Sequence, residues 1–214
     1  MDRITFQGVV PNVFAHVEGL QSELWNQQIT FQKGHLYLVE ANSGKGKSTF
    51  CSYLIGYRHD YNGQIKFDEQ DVASLKMREW IKLRQSHLSY LFQELRLFPE
   101  LTAFENVEIK NQMTHFQTEN QIKAWFEQLG IGDKLNAKIA HMSFGQQQRV
   151  ALIRALVQPF DFLLVDEPIS HLDENNARVM GTLMMEEAKR QGAGVIVTSI
   201  GKHMDLNYER VVKL

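Results

Sequence analysis

The stretch that most constrains the fold runs from residue 35 to residue 54, where three kinds of local order follow without a break. His35-Leu36-Tyr37-Leu38-Val39-Glu40 is an apolar strand. It leads into Ala41-Asn42-Ser43-Gly44-Lys45-Gly46, a polar loop with two glycines, and Lys47 to Leu54 then reads as a helix. A strand, a glycine loop and a helix start in that order form a cradle for phosphate. Glycine lets backbone N–H groups turn inward onto phosphate oxygens, and the helix start adds the positive end of its dipole. Lys47 is placed to reach the β and γ phosphates of a nucleotide, and the Ser48 hydroxyl to ligate Mg²⁺. Asn42, Ser43, Gly44, Lys45, Gly46, Lys47, Ser48 and Thr49 are therefore the candidate nucleotide-binding residues. Ala41, which opens the loop, serves if its φ is negative and is strained otherwise.

The rest of the chain has the pattern of an α/β protein. Thr30 to Glu40 reads as strand segments broken by a turn at Lys33-Gly34, and Gly63 to Phe67 and Leu88 to Phe92 as short strands. Phe162 to Val165 and Gly194 to Thr198 are apolar runs of the buried-strand type. Between the last two lies a helix from Asp173 to Gln191, stopped by Gly192. Strand, helix and strand with short links imply a parallel sheet. Residues 102 to 156 read as helical, with capping-box spacing at Thr102 and Glu105, Thr118 and Gln121, and Ser143 and Gln146. One domain is expected over the 214 residues, with a helical lobe at about 94–156 inserted between sheet strands. The net charge of −2 gives no basic field for nucleic acid. A single cysteine, Cys51, excludes an intramolecular disulfide and reads as a small buried residue. Met1-Asp2-Arg3 does not open a signal pattern, and no apolar run approaches the roughly 20 residues that span a bilayer. Work at a membrane would require another chain to hold this one there.

Two further constellations carry chemistry. In Phe162-Leu163-Leu164-Val165-Asp166-Glu167-Pro168, a buried strand delivers two carboxylates to the carboxyl edge of the sheet, where α/β proteins bind ligands. Beside a phosphate cradle, Asp166 suits the Mg²⁺ shell and Glu167 suits the orienting and polarising of an attacking water. In Met142-Ser143-Phe144-Gly145-Gln146-Gln147-Gln148-Arg149-Val150-Ala151, Ser143 can cap a helix and offer a hydroxyl, and Gly145 leaves a backbone N–H open. Together they make an anion site at a helix N-terminus.

This last segment, continuing to Ile153-Arg154-Ala155-Leu156, resembles the signature helix of the ABC-type ATPases, and with it the other motifs fall into that family's order. Ala41 to Thr49 resembles its P-loop, with Ala41 in place of the usual first glycine; Gln93 in Leu91-Phe92-Gln93-Glu94 resembles its Q-loop; Ser170-His171-Leu172-Asp173 resembles its D-loop. Five motifs in order, over roughly residues 29 to 200, are not readily given by chance. The resemblance implies a P-loop core with an antiparallel β portion and an inserted helical lobe. It implies ATP and Mg²⁺ as ligands, and Lys47, Gln93 and Glu167 as catalytic residues. It places Ser48, Gln93 and Asp166 at the metal. It has Ser143, Gly145 and Gln146 face the γ-phosphate bound by a second subunit, in a homodimer or heterodimer.

The resemblance also implies an aromatic residue stacked on adenine, for which Phe14 is the candidate. It implies a groove near Phe92, Phe98, Leu101 and Phe104 that receives a helix of an integral-membrane permease, and a location on the cytoplasmic face of the membrane. The stretch Phe98-Pro99-Glu100-Leu101-Thr102 is most similar to the lipoprotein-release, macrolide-export and cell-division branch. Two departures bear on rate. Phe144 replaces the first signature glycine, and Ser199 in Val197-Thr198-Ser199-Ile200 stands where the family has a histidine at the γ-phosphate, with His203 four residues on. A soluble ABC ATPase without a transporter, and a low-activity nucleotide-binding partner in a heterodimer, are the alternative readings.

Overall fold

The computed structural model describes the whole chain except Glu18, Ser43, residues 169–172 and Lys202. The first half contains strands β1 (Arg3–Pro11), β2 (Gln28–Gln32) and β3 (Leu36–Glu40), helix α1 (Lys47–Leu54), strands β4 (Tyr61–Phe67) and β5 (Gln70–Asp71), helix α2 (Met77–Ser86) and strand β6 (Leu88–Leu91). Three helices follow, α3 (Ala103–Asn111), α4 (Glu119–Gln128) and α5 (Phe144–Leu156). The chain closes with β7 (Phe162–Asp166), α6 (Glu174–Gln191), β8 (Gly194–Ser199) and β9 (Arg210–Lys213).

These strands form two sheets, an antiparallel one ordered β2-β1-β4-β5 and a parallel one ordered β6-β7-β8-β3-β9. Side chains alternate along a strand, so a sheet covered on both faces must be apolar throughout. Leu36, Leu38, Leu163, Val165, Val195 and Val197 enter one apolar cluster with the helices α3 to α6. Tyr37, Val39, Phe162, Leu164 and Ile196 enter a second cluster with α1 and the antiparallel sheet. The two cores thus clasp the parallel sheet from opposite sides. The adjacent strands β6 and β7 are joined through α3, α4 and α5, and α5 packs on α3, α6 and β6.

Most local expectations hold. Gly34 turns with φ 84°, and α6 is capped at Asp173 and closed by Gly192 at φ 62°. Thr102 and Ser143 form complete capping boxes, while Thr118 caps its helix through the Gln121 N–H alone. Three elements had no clear sequence signal. The alternation of β1 is interrupted by a register shift between Gln7 and Val10. In α2, Trp80 alone is fully buried, so no apolar stripe marks it. Strand β9 buries only Val212.

Candidate active site

Register brings the chemistry to one edge. Glu40 at the end of β3 pairs with Ser199, and Asp166 at the end of β7 pairs with Thr198 on the same strand β8. The loop after β3 and the carboxylates after β7 therefore meet at the carboxyl edge of the parallel sheet, as expected for an α/β ligand site. The Ala41 N–H donates to the Ser199 carbonyl at 3.1 Å, which ties the loop entrance to β8. Ala41 is not among the described residues with positive φ, so alanine is accommodated without strain there.

The glycines carry the bend. Gly44 and Gly46 have φ of 81° and 99°, a region where a side chain is strained. A Cβ on Gly46 would also come within 3.0 Å of Phe14 Cε2 and 3.1 Å of the Trp25 ring. The loop is seated on these two aromatics, and the Trp25 indole N–H donates to the Lys45 carbonyl at 3.2 Å. Phe14, in the short 3-10 turn Asn12–Phe14, is half-buried beside the loop. Trp25 escaped the sequence reading, because nothing local distinguishes a tryptophan under a loop from one in a core.

Lys47 is buried, and its ammonium donates to the carbonyls of Ala41 at 3.1 Å and Asn42 at 3.5 Å. It also lies 3.6 Å from Glu167 Oε1. The other carboxylate oxygen of Glu167 accepts from the Gln93 amide at 3.2 Å. Glu167 adopts φ 47°, a left-handed conformation that costs about 1–2 kcal/mol for a residue with a side chain. Its N–H donates to the Thr198 carbonyl at 3.2 Å. Such strain at a carboxylate held between a lysine and a glutamine fits a functional position.

Asp166 is buried and fully tied down. Tyr90 donates its phenol hydrogen to Asp166 Oδ2 at 2.9 Å, and the Thr198 hydroxyl donates to Oδ1. Burial, and next the neighbouring Cys51 and Asp166, push the Tyr90 phenol far above its ordinary pKa, so it remains a donor. Cys51 is itself buried, and burial raises its thiol well above the usual range. Neither Tyr90 nor Thr198 was singled out in the sequence. The available signal was a polar residue at the inward end of each strand flanking β7.

The remaining candidates divide. Ser48 is exposed in the first turn of α1, whereas the buried Thr49 hydroxyl accepts from Arg58 at 3.0 Å and so faces away from the loop mouth. Asn42, Gly44 and Lys45 are exposed, and Ser43 lies outside the described residues. The oxygens of Ser48, Gln93 and Asp166 form a hard donor set suited to Mg²⁺. Gln93 uses its NH₂ on Glu167, which leaves its carbonyl oxygen for a cation.

Ser143 caps α5: its hydroxyl oxygen accepts from the Gln146 N–H at 3.3 Å, and Gln146 Oε1 accepts from the Ser143 N–H at 2.9 Å. This leaves the hydroxyl hydrogen of Ser143 to donate outward. Ser143 is exposed, Gly145 is partly so, and no described hydrogen bond joins Ser143, Gly145 or Gln146 to residues 41–49 of their own chain. Phe144 is 42% exposed, its bulk turned outward. Gln148 links this helix to the carboxylates by donating to the Pro168 carbonyl at 3.2 Å. Ser170, His171 and Leu172 lie outside the described residues. The exposed His203 contacts the Met204 carbonyl at 3.0 Å and the Tyr208 ring. Ser199 is buried at the end of β8.

A cavity of about 300 Å³ lies near Gln93, lined by Phe92 and Phe98 but not by Leu101 or Phe104. Phe104 instead packs against the helical core. A larger cavity, of about 800 Å³, is lined by α6 and residues such as His35 and Leu206 and contains none of the candidate site residues.

Residues 24–170 match the family model described as ABC transporter. The chain belongs to the ABC transporter family. It is 33% identical over 175 residues to the lipoprotein-releasing system ATP-binding protein LolD of Alcanivorax borkumensis, covering 80% of this chain and 77% of the relative. It is 29% identical over 189 residues to the macrolide export ATP-binding/permease protein MacB of Shewanella sp. ANA-3, covering 87% of this chain but only 29% of that longer relative. These relatives agree with the lipoprotein-release and macrolide-export resemblance at Phe98 to Thr102. Among solved structures, the dimeric bacterial ABC transporter cassette MJ0796 superposes with TM-score 0.76 at 27% identity, over 92% of this chain and 87% of that one. The chain is thus an ABC ATPase nucleotide-binding domain of the transporter type. No helix among the described residues is long and apolar enough to cross a membrane.

Proposed function

We propose that this chain binds ATP, hydrolyses it, and closes onto a second ABC ATPase subunit to drive a separate integral-membrane permease from the cytoplasmic face. The observation that carries the reading is the Glu167 carboxylate, held between Lys47 at 3.6 Å and Gln93 at 3.2 Å at the glycine loop. When ATP enters, Lys47 exchanges its loop carbonyls for the β and γ phosphate oxygens, and residues 42–49 supply inward N–H groups. Glu167 orients a water toward the γ-phosphorus and accepts its proton as the bond to the β–γ bridging oxygen breaks. Mg²⁺, held by Ser48, Gln93 and Asp166, would supply positive charge at the β and γ oxygens. Phe14 stacks on adenine. Ser143, Gly145 and Gln146 cap the γ-phosphate carried by the opposing subunit, which agrees with their exposure away from the loop of their own chain. The helical lobe at about 94–156 carries that signature helix, and the cavity beside Gln93 docks a helix of the permease.

Glu167→Gln tests the reading. The variant keeps ATP binding, loses turnover, and runs as a dimer on size exclusion with Mg-ATP. A variant that hydrolyses at the wild-type rate removes Glu167 from its role. The same experiment addresses a second reading, favoured by the half-exposed Phe144 at the signature helix: a partner in a heterodimer. A Glu167→Gln protein that binds ATP tightly yet stays monomeric would support it.

A further inference from the structure

Gln148 of α5 is a buried amide engaged on one side only. It is 3% exposed, and its NH₂ donates to the Pro168 carbonyl at 3.2 Å. A carbonyl accepts and cannot donate, so this contact fixes which way the amide faces. Its own oxygen, Oε1, is then left buried without a hydrogen-bond partner among the described residues. Native folds seldom leave a buried acceptor unpaired, because the lost hydration is not repaid. Gln148 lines a small space together with Gln93, Asp166, Glu167 and Pro168, and that space has no room for a water molecule.

Glu167, on the same space, has the opposite condition. Its Oε2 accepts from the Gln93 NH₂ at 3.2 Å, and its Oε1 lies 3.6 Å from the Lys47 ammonium. Both oxygens are engaged, yet orienting a water takes one of them. The exposed Gln93 side chain has to give up Oε2, and its NH₂ then needs another acceptor. Gln148 Oε1 is a vacant acceptor on the wall of the same space. The backbone points the same way. Glu167 is left-handed at φ 47°, and its N–H is held by the Thr198 carbonyl at 3.2 Å. Pro168, next in the chain, has no N–H to offer, and Gln148 holds its carbonyl. The turn that aims Glu167 is thus pinned at one end by β8 and at the other by α5.

We propose that Gln148 is a positioning residue for Glu167: its NH₂ fixes the turn through the Pro168 carbonyl, and its Oε1 takes over the Gln93 NH₂ when Glu167 turns to the attacking water. The proposal rests on the reading of Glu167 as the residue that orients water, and adds how that carboxylate is freed for the task. It also ties the exchange to subunit closure. Gln148 sits about a turn and a half along α5 from Ser143. A phosphate captured at the start of α5 therefore acts, through one continuous helix, on the Pro168 carbonyl and on the acceptor that awaits Gln93.

Steady-state hydrolysis of Mg-ATP by the full chain tests it. Gln148→Met keeps the side-chain length and removes both polar atoms; Gln148→Leu is the second variant, and thermal melts show whether each folds. The expected result is a loss of about tenfold or more in kcat with KM for ATP within about twofold, a split that a general loosening of the fold does not give. A double-mutant cycle with Gln93→Ala then reads the exchange itself. With no Gln93 amide left to receive, Gln148→Met should cost about threefold or less, so the two losses do not multiply. Losses that multiply in full overturn the proposal, because Gln148 then does not act through Gln93. So does a parallel loss of kcat, ATP affinity and melting temperature, or failure of both variants to fold, since Gln148 then serves only the structure. Glu167→Gln, assayed alongside, separates the two levels. If it is inactive while Gln148→Met turns over within about twofold of wild type, this inference falls and the reading of Glu167 stands. If Glu167→Gln turns over normally, that reading falls, and the inference with it.

Discussion

Replacing Tyr90 by phenylalanine removes one oxygen from the parallel sheet and leaves Asp166 Oδ2 without its donor. The hydrogen bond is 2.9 Å long, the acceptor is a carboxylate, and Asp166 is 5% exposed, so water cannot readily take the place of the phenol. Hydrogen bonds to charged groups contribute about 1.5–3 kcal/mol, and leaving a buried acceptor unpaired costs a similar amount. For a domain of this size each kcal/mol corresponds to about 2–4 °C in Tm, so Tyr90→Phe should melt about 3–12 °C lower. Tyr61→Phe is the internal control. The Tyr61 hydroxyl is buried with no hydrogen-bond partner, so its removal should cost little or stabilise. Thr198→Val strips the other oxygen of the same carboxylate, and the double variant should deviate from additivity because both losses fall on one group. On the proposed role of Asp166 at Mg²⁺, losing a supporting hydrogen bond weakens metal binding by about 10-fold or more, so Mg-dependent ATP affinity should fall while binding in EDTA is spared. Thermal melts and nucleotide titrations with and without Mg²⁺ decide it. If Tyr90→Phe melts within about 1 °C of wild type, or loses as little as Tyr61→Phe, the phenol does not clamp Asp166.

Two further outcomes follow from the described geometry. Asp161 accepts from Lys33, His87 and the Met1 ammonium; burial alone would raise its pKa, but these hydrogen bonds outweigh burial and hold it below the ordinary 3.8. A depressed carboxylate contributes its stability in full above the unfolded value and loses it as pH falls through the folded one, so the Tm gap between wild type and Asp161→Asn should be widest near neutrality and shrink below pH 3.8; a gap that persists unchanged into acid would contradict this. His203→Ala should leave turnover within about twofold, since its ring is engaged by Met204 and Tyr208, and a tenfold loss at unchanged ATP affinity would mean that His203 reaches the nucleotide.

What could be read from the sequence was what is local. The glycines, Lys47 and Ser48 lie together on one loop and helix start, and Asp166 ends one apolar strand with Glu167 directly after it, so spacing alone reveals them. The capping serine and glutamine of α5 were legible for the same reason. The supports were not. Tyr90 and Thr198 reach Asp166 from two different strands, and Trp25 reaches the loop from a segment whose own pattern is poor. Their roles exist only once the register β6-β7-β8 is set, and register is a tertiary fact that depends on which faces are buried. Helix α2 was missed because packing of Trp80, rather than an apolar stripe, holds it.

The groove shows the same limit from the other side. Phe92 and Phe98 were found because they are neighbours in the chain, but so were Leu101 and Phe104, which the fold turns elsewhere. Its cations come from three separate helices, α2, α3 and α5, and from the loop that carries Arg96, and no window of sequence contains Arg84, Lys110 and Arg154 together. Adjacency in the chain overstates an apolar wall and understates a charged one, because apolar residues cluster locally around a core while scattered charges converge only when elements pack. Substitutions of these cations change electrostatics with little disturbance of the core, since the Lys110 ammonium makes no hydrogen bond among the described residues and Arg96 packs as a cation on exposed aromatic surface.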